Sequence, residues 1–132
     1  MNPSAMNPRT ILYIEDNEFN RKIVRQLLSR TSYRLVEAND GEAGVAMATE
    51  LLPDLVLMDV QLPKMSGLEA TRLLCSDPRT KHIPIVVITS FALSGDRERA
   101  TEAGAAGYLA KPYSPRELLA LVRQFLPEEE SQ

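Results

Sequence analysis

Two stretches of this chain, Leu55-Val56-Leu57-Met58 and Ile85-Val86-Val87-Ile88, are apolar at every position. A strand with one wet face alternates polar and apolar residues, so strands without a polar position must be covered on both faces. Parallel sheets lying between helices meet that demand. Three further strand candidates, Thr10–Ile14, Tyr33–Glu37 and the short, weakly patterned Gly107–Leu109, bring the number to five.

Helical patterns alternate with these strands. From Glu18 to Ser32, the residues Phe19, Ile23, Val24, Leu27 and Leu28 recur at helical spacing, with Arg21, Lys22, Arg25 and Gln26 on the other side. Asp40 reads as the N-cap of a second helix that carries Ala43, Ala46, Met47 and Leu51 inward and stops before Pro53. Ser66 caps a third, with Leu68, Thr71 and Leu74 on one side. The fourth, about Ser94 to Ala103, is poorly amphipathic and ends at Gly104. The fifth runs from Pro115, at a first-turn position, to Leu126, with Leu118, Leu121, Val122 and Phe125 inward. Right-handed β-then-α units place helices on both faces of one parallel sheet.

With 132 residues, 44% hydrophobic and 25% charged, the chain suits one globular domain. We assign 10–126 to it, with 1–9 a flexible N-terminus and 127–132 an acidic flexible tail. Net charge is −3 with both signs interspersed, which excludes a dedicated nucleic-acid surface. The apolar runs are too short to cross a bilayer, so no membrane contact is expected. No secretory pattern opens the chain, and the lone Cys75 has no internal partner, so a cytoplasmic setting is expected.

Ligands of such sheets sit beyond the carboxyl ends of the strands. There the sequence places Glu15-Asp16 after the first strand, Asp59 at the end of the third, Thr89-Ser90 at the fourth and Lys111-Pro112 after the fifth. Each is unremarkable alone: an acidic pair starts many helices, Asp caps turns, and Lys-Pro is common in loops. Together they bring carboxylates, hydroxyls and an ammonium to one sheet edge. Clustered carboxylates repel unless a hard divalent cation such as Mg²⁺ relieves them. A phosphoryl group held between that cation and Lys111 would have its charge neutralised, and an aspartate can accept it.

The segments ILYIEDNEFNRKI, DLVLMDVQLPKMSGLEA, IPIVVITSFA and GYLAKPYSPREL make the chain resemble the response regulator receiver domain family from about Thr10 to Leu126. The second is the most specific, with Asp59 followed by Leu62-Pro63, Met65, Gly67 and Glu69. The resemblance implies a flavodoxin-like (βα)5 three-layer sandwich of strand order 2-1-3-4-5. It implies Asp59 as phosphoacceptor, and Mg²⁺ (or Mn²⁺) held by Glu15, Asp16, Asp59 and the Gln61 backbone carbonyl. Thr89, Lys111 and Tyr108 follow as switch and phosphoryl-stabilising residues, and the Lys111–Pro112 bond as cis. Asp16-Asn17-Glu18 and Thr89-Ser90-Phe91-Ala92 are similar to stand-alone regulators and hybrid-kinase receivers.

The expected function is a phosphorylation-controlled switch in two-component signalling. Its expected partners are a histidine kinase or histidine phosphotransfer protein as donor and a downstream protein as reader. Self-association through the fourth and fifth helices and fifth strand is a further expectation. The transfer turns over no released substrate, so the chain is not counted as an enzyme. The alternative is a receiver-like binding module that never uses phosphate, against which Glu15, Asp16, Asp59, Thr89 and Lys111 all speak. A flavin phosphate would be repelled by Glu15, Asp16 and Glu18, and a haloacid-type phosphatase needs Asp-x-Asp after the first strand, which Glu15-Asp16-Asn17 does not supply. Gln61 and Phe91, two residues beyond Asp59 and Thr89, are read as controlling water access. Gln61 cannot act as a base and Phe91 cannot orient water, so a long-lived adduct is expected.

Overall fold

The computed structural model describes residues 8–90 and 95–128. Five strands alternate with five helices: β1 (Thr10–Ile14), α1 (Glu18–Leu28), β2 (Arg34–Ala38), α2 (Gly41–Leu51), β3 (Leu55–Asp59), α3 (Gly67–Ser76), β4 (Ile85–Thr89), α4 (Asp96–Ala103), β5 (Gly107–Ala110) and α5 (Pro115–Phe125). All strand pairs are parallel, in the order β2-β1-β3-β4-β5. The flavodoxin-like expectation is met.

The side-chain period of two sorts the core onto two faces. Ile11, Tyr13, Leu55, Leu57, Val86 and Ile88 pack with Val24 and Leu28 of α1 and Leu118 and Val122 of α5. Leu12, Ile14, Val56, Met58, Ile85 and Val87 pack with Ala48 of α2, Ala70 and Leu74 of α3, and Ala100 of α4. Every residue of β3 and β4 is buried, as their unbroken apolar runs demand. Four helices open on side-chain caps, from Asn17, Asp40, Ser66 and Ser114, each accepting a backbone N–H three residues on.

Three expectations change. The first helix stops at Leu28, short of Ser32, where the Ser29 and Thr31 hydroxyls donate back to the Gln26 and Leu28 carbonyls. Its buried row is Val24 and Leu28, while Phe19 is 68% and Ile23 41% exposed. The helix is turned so that Arg21 faces inward and donates to the Glu15 carbonyl at 2.7 Å, leaving part of the apolar stripe outside. In α2 the inward residues are Gly41, Gly44 and Ala48, whereas Ala46 and Leu51 are exposed. The reason is close approach: a Cβ on Gly44 would lie 2.4 Å from Ile14 Cδ1, so the helix sits too near the sheet for larger inward residues. Glu128, expected in the flexible tail, accepts from the Ser32 N–H and hydroxyl and from Arg123 Nε, and so ties the residues just after α5 to the α1–β2 turn.

Candidate functional site at the carboxyl edge of the sheet

Register brings the expected residues together. Ile14 pairs with Met58, Asp59 with Ile88, and Thr89 with Ala110, so the carboxyl ends of β1, β3, β4 and β5 are level. Strand order reverses across β1, which lies between β2 and β3, and the crevice at such a reversal is where ligands enter. Glu15, Asp16 and Asp59 meet there, and one carboxylate oxygen from each lies within 4.8 Å of the other two. Gly67 makes the tight end of β3 possible. Its N–H donates to the Val60 carbonyl at 2.9 Å, and a Cβ on it would stand 2.0 Å from the Asp59 carbonyl oxygen.

Lys111 reaches back from the β5–α5 loop. Its Nζ lies 3.1 Å from Glu15 Oε1 and 3.2 Å from Asp59 Oδ1. Burial alone would pull this ammonium down, but the charges of Asp59 and Glu15 outweigh it and hold its pKa above the ordinary value. One ammonium cannot satisfy both carboxylates. Burial, then the Glu15 charge, push Asp59 up to about 6, against the opposing pull of Lys111. Three carboxylates against one ammonium leave two negative charges uncompensated when all are ionised. An all-oxygen donor set with that charge fits a hard divalent cation.

Of the remaining expected residues, Thr89 is buried at the end of β4, and Lys111 N–H donates to its carbonyl at 2.7 Å. Tyr108 is half-buried on β5, with the Arg97 guanidinium over its ring at 5.1 Å from the centroid. Gln61 is exposed in the loop after β3. The Lys111–Pro112 bond is cis. Phe91 lies outside the described residues.

Sequence reasoning missed how Glu15 is held. Oε1 accepts from the Tyr13 hydroxyl at 3.2 Å, Asn20 Nδ2 at 3.4 Å and Lys111 at 3.1 Å, while Oε2 accepts from the Asn17 N–H at 3.3 Å. The signal available was Tyr13 itself, a polar-tipped residue between the apolar Leu12 and Ile14, two positions from Glu15 and so on the same face.

The response regulator receiver domain family matches residues 11–123. The chain belongs to that family. This receiver is 38% identical to the polar-differentiation response regulator DivK of Brucella anthropi over 119 residues, which is 90% of this chain and 97% of the relative. Among solved structures it resembles the receiver domain of a sensor histidine kinase from Pseudomonas aeruginosa, with TM-score 0.84 and 34% identity over 92% of this chain and 99% of that one. That domain holds a magnesium ion in its active-site cleft. It also resembles the chemotaxis response regulator CheY4 of Vibrio cholerae, with TM-score 0.84 and 26% identity over 90% of this chain and 99% of that one. The receiver is therefore a component of two-component signal transduction. No described helix is long and apolar enough to cross a membrane.

Proposed function

We propose that this receiver accepts a phosphoryl group on Asp59 from a phosphohistidine of a kinase or phosphotransfer protein, with Mg²⁺ (or Mn²⁺) at Glu15, Asp16, Asp59 and the Gln61 carbonyl. The observation that carries this reading is a buried carboxylate, Asp59, that shares the Lys111 ammonium with Glu15 at 3.2 and 3.1 Å and is clustered with Glu15 and Asp16. In the transfer, the phosphorus–nitrogen bond of the donor breaks and its electron pair stays on the imidazole. A bond forms from an Asp59 oxygen to phosphorus. The cation, when bound, draws on the phosphoryl oxygens and offsets the repulsion among the carboxylates. Lys111 binds the opposite side of the phosphoryl group, and the Thr89 hydroxyl donates to one of its oxygens. Asp59 is a phosphoacceptor rather than the nucleophile of a turning-over enzyme, and the setting is the cytoplasm.

The donor's approach is supported by apolar surface beside the site. Ile23, Asn20, Ser90, Lys111, Pro112 and Tyr113 line a groove of about 420 Å³, and exposed Phe19 lies one helical turn before Ile23. The face we propose for output is α4–β5–α5, a reading supported by Tyr108 stacking under Arg97 and by the small residues Ala100 and Ala103 that anchor α4. A downstream protein, or a second copy of the chain, would read the altered face there. Incubation with a small phosphodonor and measurement of intact mass tests the chemistry. An adduct is expected with Mg²⁺ and not with excess chelator; one that persists in Asp59→Asn sinks the proposal.

A further inference from the structure

A phenol is an odd residue for the centre of β1. Tyr13 is wholly buried among Ile11, Leu55, Leu57, Val86 and Ile88, where phenylalanine would fill nearly the same volume without a polar atom to satisfy. Its hydroxyl donates to Glu15 Oε1 at 3.2 Å.

The two oxygens of Glu15 are thereby made unequal. Oε1 takes Tyr13, Lys111 and Asn20, whereas Oε2 takes one backbone N–H at 3.3 Å. A glutamate has one more rotatable bond than an aspartate, so an unanchored Glu15 could swing and offer both oxygens to a cation. Mg²⁺ demands near-ideal octahedral geometry, while Ca²⁺ takes more ligands and tolerates bidentate carboxylates. We infer that Tyr13 is a positioning and specificity residue: its hydroxyl pins Oε1, keeps Glu15 a one-oxygen participant in the cation site, and so favours Mg²⁺ over Ca²⁺. This rests on the divalent-cation site proposed above and adds a residue on the strand beneath it.

The test measures Mg²⁺ and Ca²⁺ affinities by competition against Mn²⁺, with free Mn²⁺ followed by electron paramagnetic resonance. It uses the full chain, Tyr13→Phe, Glu15→Ala and the double variant, with melting temperatures alongside. Partners that orient a metal ligand commonly contribute tenfold or more to affinity. Tyr13→Phe is therefore expected to weaken Mg²⁺ about tenfold and Ca²⁺ by less than about threefold. In the Glu15→Ala background, Tyr13→Phe is expected to change neither, because its route to the cation is gone. Equal losses for both cations, an equal loss without Glu15, or no loss at all would overturn the inference while leaving the site intact. Failure of the unaltered chain to bind Mg²⁺ would overturn the proposed function and this inference with it.

Discussion

Asp59→Asn is expected to stabilise the metal-free protein at neutral pH. Asp59 is 4% exposed, and its carboxyl is raised from an ordinary 3.8 to about 6 by burial and by the Glu15 charge. A folded-state pKa above the unfolded value means that folding favours the protonated form. The stability that protonated Asp59 contributes is fully present below about pH 4 and is lost as pH rises through about 6. A shift of roughly two units at about 1.4 kcal/mol each is worth about 3 kcal/mol. Asparagine is neutral throughout and escapes the loss. In chelator, the variant and the unaltered chain should melt together near pH 4. They should separate between pH 4 and 6, with the variant melting roughly 10 °C higher at pH 7 for a chain of this size. Mg²⁺ at pH 7 should then raise the unaltered chain more than the variant and narrow the gap, since a ligand stabilises only the state it binds. Calorimetry over pH 4–8, with and without Mg²⁺, gives the answer. An advantage for the variant that is as large at pH 4 as at pH 7, or absent at both, refutes the reasoning.

Lys111→Met removes the ammonium that pulls Asp59 down, so the Asp59 carboxyl should titrate above about 6 in chelator; carbon-detected NMR of labelled aspartate checks it, and an unchanged or lower midpoint contradicts the electrostatics. Phe19→Ala with Ile23→Ala should slow transfer from a phosphorylated histidine protein about tenfold or more, since each apolar side chain buried on docking contributes about 1.5 kcal/mol or more. The adduct formed from a small phosphodonor should be unaffected, and parallel losses in both assays would remove this face from the docking surface. Gly67→Ala should cost about 3 kcal/mol, because its Cβ would press on the Asp59 backbone carbonyl rather than on a yielding side chain; denaturant unfolding that shows less than about 1 kcal/mol would mean the loop relaxes freely.

The unbroken apolar runs of β3 and β4 already require a sheet covered on both faces, because a wet strand face cannot be built from Leu, Val, Ile and Met alone. Once the strands are parallel, the residues just beyond their carboxyl ends share an edge, so Glu15, Asp16, Asp59, Thr89 and Lys111 were legible as one cluster. The N-caps at Asp40 and Ser66 were legible for a similar reason, being set by three-residue spacings within the local chain. The rotation of α1 was not. Its apolar stripe is wider than the surface it covers, and which part is buried was decided by Arg21 turning in to the Glu15 carbonyl. The face of α2 was decided by the closeness of Gly44 to Ile14, a distance between elements that periodicity does not encode. Glu128 looked like a solvated tail residue because its partner Ser32 lies 96 positions away. Most telling is Lys111, 96 residues from Glu15 and 52 from Asp59. The sequence alone supplies the charges and the edge they share. How one ammonium divides itself between two buried carboxylates, and which Glu15 oxygen Tyr13 ties down, depends on ångström-scale packing between strands β1, β3 and the β5–α5 loop, which only the tertiary structure sets.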